Sequence, residues 1–241
     1  MDLNADLGEH ESPALTAALL QFITSANIAC GGHAGTAETM ERCLRLAVQF
    51  GVRVGAHPGL PGNFGRAQSE LTPAQLTTLL SAQVLPFAAL TERATVNLHH
   101  VKLHGALYHA TEHDPSLAEI YVQWMASYLP NSIIYARAGG FVQATAQQLP
   151  HPVWAEAFSD RGYEDDGNLI PRGKPGAMLE NLAAAVERLR ELKAGRGVIA
   201  RSGKRLALHA DTVCVHADST RALEWAQALR RELDRARLSE S

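Results

Sequence analysis

Seven short apolar segments, separated by stretches with amphipathic helical spacing, run the length of this chain. The strand candidates are Met1–Leu7, Ala26–Cys30, Val52–Ala56, Val96–Leu103, Ser132–Ala136, Val153–Phe158 and Thr212–Val215. Arg205–His209 is a further segment that could pair with the last of them. Strand and helix in strict alternation predict a parallel sheet with crossover helices. At 241 residues the first choice is a single α/β domain over residues 1–241, a TIM-like (β/α) barrel of seven strands. A doubly wound open sheet is the second choice, and no glycine-rich dinucleotide fingerprint follows the first strand to support it.

The helical stretches carry their own start signals. Met40, Cys43, Leu44, Ala47 and Val48 have the spacing of one buried face, which predicts a helix over Ala37–Phe50. Thr72-Pro73-Ala74-Gln75 combines an N-cap, a first-turn proline and a capping-box glutamine. Asp114-Pro115 opens another helix, with Leu117, Ile120, Tyr121 and Trp124 as its core stripe. Ser219 can cap a last helix that turns Ala222, Trp225, Ala226, Leu229 and Leu233 inward.

Polar, titratable residues gather where the strand candidates end. The first strand carries Asp2, Asn4, Asp6 and Glu9, and the second ends at His33. The third ends at His57, and the fourth carries Lys102 and His104. The sixth leads to Asp160 and Arg161, and the last to His216 and Asp218. Residues two apart on a strand share a face, so Asn4 pairs with Asp6, Lys102 with His104, and His216 with Asp218. In a parallel barrel all these carboxyl ends meet on one rim, where such barrels place their chemistry. Any single histidine can instead be a core or loop residue satisfied by a backbone carbonyl. His10, His99, His100, His113 and His151 are assigned to surface or loop on that ground. Burying the whole rim set unpaired would cost ~2–7 kcal/mol per neutral polar group and more per charge. A common reaction site is the simpler explanation.

Composition limits the partners. The net charge of −3 carries no broad basic surface for nucleic acid. Three cysteines without metal-site spacing point to a reducing, cytoplasmic setting, and no leader or membrane-length apolar run is evident.

The segments DLNADLGE, SANIACGGHAG, GAHPG with NFGR, HVKLHGALY, FSDRGY and TVCVHAD occur in this order from Asp2 to Asp218. Together they resemble the LamB/YcsF family of 5-oxoprolinase A subunits. The resemblance implies a (β/α) barrel of the glycoside hydrolase and deacetylase type. It implies ATP-dependent hydrolytic opening of 5-oxo-L-proline (pyroglutamate) to L-glutamate, carried out with separate B and C subunits. Leu103, His109 and Ala217 stand where the family pattern has proline, asparagine and glycine.

Opening a lactam needs a base for water, positive charge for a developing oxyanion or phosphate, and an acid for the leaving nitrogen. Asp6 or His104 suits the first role, Lys102 and Arg161 the second, and His57 or His216 the third. Asp160 completes the catalytic candidates. Asn4, Glu9, His33 and Asp218 are the substrate-binding candidates. Asp6, His33 and His57 could alternatively hold a divalent metal. No Walker-type loop is present, so ATP binds by other means or on the partner subunits. The alternatives are a metal-dependent deacetylase or amidase and a non-catalytic, substrate-holding subunit. Homo-oligomer formation is left open.

Overall fold

The computed structural model describes residues 1–62, 65, 71–217 and 221–237. Asp218, the Ser219 cap, and Asn63, Phe64 and Arg66 of the third motif lie outside them. Seven parallel strands close into a barrel: β1 (Asp2–Leu7), β2 (Ser25–Ala29), β3 (Arg53–His57), β4 (Leu98–Lys102), β5 (Ile133–Arg137), β6 (Val153–Phe158) and β9 (Thr212–Cys214). The ring closes where Asn4 of β1 and Phe158 of β6 both register with Cys214. The expected seven-stranded barrel is therefore present.

Helices α1 (Pro13–Leu19), α2 (Ala37–Phe50), α3 (Pro73–Arg93), α4 (Gly105–His113), α5 (Pro115–Tyr128), α6 (Phe141–Gln148), α7 (Leu182–Lys193) and α8 (Ala222–Arg237) flank it. Their ends follow the local chemistry. Thr36 caps α2 in a reciprocal box with Thr39, and Gly51 ends that helix in the left-handed region. Thr72 and Gln75 form the predicted box at α3, and Asp114 accepts from the Ser116 and Leu117 amides at α5. α3 is the one described helix long and apolar enough to cross a membrane by length and composition. Leu76, Leu80, Val84 and Phe87 bury its stripe within the protein core.

One pairing differs from expectation. Arg205–Leu206 (β8) pairs antiparallel with Val198–Ile199 (β7), not with β9. Both edges of β9 are already taken, by β1 and β6, so closure leaves it no partner to accept.

Outward-facing strand residues such as Leu3, Ala5, Ile28, Val54, Val101 and Val213 are buried in the core cluster that includes the helix stripes. The barrel interior is polar instead. At its floor Asp2 accepts from Ser25 at 2.8 Å and from Thr212 at 2.6 Å. Above it Asn4 donates to Thr212 at 2.7 Å and to Glu156 at 3.0 Å. Asn27 donates to Asn4 at 2.7 Å and to Asp6 at 2.8 Å. A ladder of this kind is tolerable only because each rung finds a partner.

His100 belongs to that ladder, not to the surface. It is fully buried, bonds Asn27 Oδ1 through Nε2 at 2.7 Å, and stacks on Tyr135. A register shift between Val54 and Gly55 opposite His99 turns the second histidine of the pair inward. Gly55 makes the room: a Cβ there would lie 2.1 Å from His100 Nε2. His151 is buried too, but is a loop residue bonded to the Ser132 carbonyl, while His10 and His113 are exposed.

Candidate active site

The carboxyl ends of the strands open into a cavity of about 820 Å³. Asp6 and Glu9 (β1 and its loop), His57 (β3), Lys102 and His104 (β4), Arg161 (after β6) and His216 (after β9) all line it. These seven positions, spread over more than two hundred residues, converge on one mouth.

Glu9 is the hub of one side. Its Oε1 lies 2.8 Å from His33 Nε2, 3.1 Å from His104 Nδ1 and 3.7 Å from His57 Nε2. His104 Nδ1 is 3.0 Å from His57 Nε2. The His33 and His104 rings stack at 3.6 Å, and His57 stands edge-on to both. His57 Nδ1 donates to the Lys102 carbonyl at 2.8 Å, which turns Nε2 toward the cluster. Burial works against ionising Glu9, but its bonds to His104 and His33 hold its carboxyl far below the usual range. Burial lowers His33 to about 4 despite its bond to Glu9, so it is neutral near pH 7.

Beside this hub, Lys102 Nζ lies 2.9 Å from Asp6 Oδ1, 3.0 Å from Glu156 Oε1 and 3.1 Å from Cys214 Sγ. Burial opposes the charge on both Asp6 and Lys102. The neighbours prevail: His57 and Lys102 hold Asp6 well below the carboxylate range, and Asp6, Cys214 and Glu156 hold Lys102 well above the amine range. His57 is raised in spite of burial, chiefly by Asp6, 3.4 Å away.

On the far wall His216 Nδ1 meets Asp160 at 2.8 Å. Asp160 does not line the cavity. It stands behind His216, held low against burial by that imidazole. Arg161 donates to the Ala177 and Ile170 carbonyls, and Arg172, His109 and His113 continue this basic side. Burial and Arg161 bring His109 down to about 4.

Asn4 is sealed beneath the cavity in the ladder and has no surface on it. His33 reaches the cluster from behind. Among possible metal ligands, His33 and His57 group with Glu9 and His104, whereas Asp6 groups with Cys214 and His216. Glu156 was not among the residues expected from sequence. It is wholly buried on β6 and shares a face with Phe158. Its signal was a lone charge in an apolar strand, VWAEAF.

The match to known proteins spans the same residues. The LamB/YcsF family model covers residues 1–240.

The chain belongs to the LamB/YcsF family.

Within that family, it is 38% identical over 239 residues to the 5-oxoprolinase A subunit of Pyrococcus abyssi, covering 97% of this chain and 94% of that protein. The crystal structure of the lactam utilization protein from Thermus thermophilus superposes with a TM-score of 0.88 at 33% identity, covering 98% of this chain and 96% of that one. An uncharacterized protein from Agrobacterium tumefaciens C58 shares the fold alone, with a TM-score of 0.60 at 12% identity over 99% of this chain and 83% of that one.

Proposed function

We propose that this LamB/YcsF protein is the hydrolytic component of a 5-oxoprolinase, its A subunit, opening 5-oxo-L-proline to L-glutamate with ATP and with B and C partner subunits. The observation that carries the reading is the similarity, over nearly the whole chain, to the 5-oxoprolinase protein of Pyrococcus. The cavity adds acid–base groups and fixed positive charge around a space suited to a small molecule.

The lactam is a resonance-stabilised amide, and ATP makes its opening favourable. Transfer of the γ-phosphoryl group to the amide oxygen releases ADP and makes the ring carbon a strong electrophile. Water adds there, the ring C–N bond breaks and the nitrogen takes a proton. The resulting acyl phosphate then yields glutamate and inorganic phosphate to a second water. Lys102 and Arg161 supply positive charge for the developing anion. His216, with Nδ1 held by Asp160, is arranged as the proton donor to the nitrogen through its other ring nitrogen. Asp6 is ionised but so strongly stabilised that it is a weak base, so we assign deprotonation of water to His104 and orientation to Asp6. His57 and Glu9 hold His104 in place. The chain has no Walker-type loop, so ATP is assigned to a site completed by the partners. A cytoplasmic setting, with neither nucleic acid nor membrane as partner, fits the three free cysteines and the charge of −3.

The test mixes this chain with its B and C candidates, 5-oxoproline and ATP, and follows glutamate and ADP with each component omitted. Glutamate release that needs all of them is expected. Release at the same rate without this chain would overturn the assignment. The second reading, a metal-dependent amidase acting without ATP, is favoured by the three-histidine, one-glutamate cluster. It predicts lactam or amide cleavage by the chain alone, independent of ATP.

A further inference from the structure

The geometry points to a divalent transition-metal site formed by Glu9, His33, His57 and His104 at the mouth of the barrel. One oxygen and three imidazole nitrogens converge there, all within 4.8 Å of one another. Around an ion with metal–ligand bonds of ~2.0–2.1 Å, tetrahedral donors stand about 3.3–3.4 Å apart. Four of the six donor separations, 2.8, 3.0, 3.1 and 3.7 Å, bracket that value, and the others lie within 4.8 Å.

Three further features fit a metal better than a hydrogen-bonded knot. The first is the tautomer of His57. With Nδ1–H committed to the Lys102 carbonyl, Nε2 is the nitrogen turned toward the cluster, the outer-shell arrangement common to metal-ligating histidines. The second is preorganisation. The four donors come from the ends of four different strands, and the His33–His104 stack is clamped by the chain at Gly59, where a Cβ would come within 2.4 Å of His33 Nδ1. The third is charge. The Asp6 carboxylate, 3.4 Å from His57 Nε2, stands next to the cluster without belonging to it. Asp6 is already paired with Lys102, so Glu9 is the carboxylate that gives the cluster its own negative charge.

The donor chemistry selects the ion. Three imidazoles and one carboxylate favour zinc, cobalt or nickel over calcium or magnesium, which prefer all-oxygen shells. Glu9 and His104 face the cavity, so the bound ion would be within reach of water or a substrate oxygen. The inference rests on these four side chains and not on the identity of the substrate.

The test is a binding measurement. The full chain is stripped with chelator and titrated with Zn²⁺ by calorimetry and with Co²⁺ by its visible ligand-field bands. Bound metal is then counted by elemental analysis. One ion per chain is expected, with imidazole-type Co²⁺ spectra. Glu9→Gln, His33→Ala, His57→Ala and His104→Asn should each weaken binding by at least the roughly 10–100-fold that loss of a mere outer-shell partner costs. Circular dichroism checks that each variant is folded, and the conservative Glu9→Gln and His104→Asn keep the test valid if an alanine variant is not. His209→Ala, at an exposed position away from the cluster, should bind as the parent does. Substoichiometric binding, or binding unchanged in all folded cluster variants, would overturn the site. Metal content of the isolated chain and glutamate release by the assembled enzyme are separate readouts, so failure of one proposal is distinguishable from failure of the other.

Discussion

Lys102 of β4 and Glu156 of β6 meet at 3.0 Å inside the barrel, and the same ammonium lies 2.9 Å from Asp6 of β1. One buried cation thus holds two carboxylates that would otherwise face each other without water. Replacing Lys102 by Met should cost about 3–5 kcal/mol, the range for breaking a buried pair and stranding its partners. Adding Glu156→Gln should recover part of that loss. Denaturant unfolding of both variants checks this, and a double variant no more stable than Lys102→Met would show that the two groups are not coupled.

His216 depends on Asp160 for its orientation. Asp160→Asn should lower the kcat of the assembled enzyme by about 10²–10⁴-fold, the usual worth of a positioned acid or base, with KM little changed. Steady-state glutamate release reads both constants. A preserved kcat would remove His216 from the chemistry.

Gly55 and His100 compete for the same space. Gly55→Ala should push the imidazole off Asn27 and cost about 1–3 kcal/mol, as overpacking does. The double variant Gly55→Ala/His100→Ala should lose less than the two single changes added together. Thermal unfolding measures this, and strict additivity would contradict the clash.

Glu112 of α4 is buried, and burial raises its carboxyl to about 7 against the nearby Arg137. The folded chain therefore keeps a proton that the unfolded chain loses at its ordinary value near 4.5. Stability should fall as pH rises through the window from about 4.5 to about 7, by up to about 3 kcal/mol. Glu112→Gln cannot ionise, so it should flatten that slope and be the more stable protein at pH 8. Urea midpoints across the range check the sign, and parallel pH profiles for parent and variant would refute it.

Much of this molecule was legible in one dimension. The helix over Ala37–Phe50 and the Thr72–Gln75 box follow from local spacing and capping, which depend on residues only a turn apart. The rim groups were legible because alternation along a strand is also local. Other features were not. His99 and His100 look alike in sequence, and only the register shift against Gly55 decides which enters the barrel. Arg205–Leu206 pairs with Val198–Ile199 because closure leaves β9 no free edge. Glu156 reads as an odd charge until Lys102, 54 positions earlier, arrives beside it.

The amino-acid order by itself determined the strand–helix alternation and the ionisable character of the strand ends, since both arise from interactions between near neighbours in the chain. Which of those ends touch was decided by the closed ring. Barrel closure and strand register bring Glu9 and His104 together and set Asn4 below the cavity. Distances of about 3 Å between residues scores of positions apart are properties of that packing, and no periodicity along the chain encodes them.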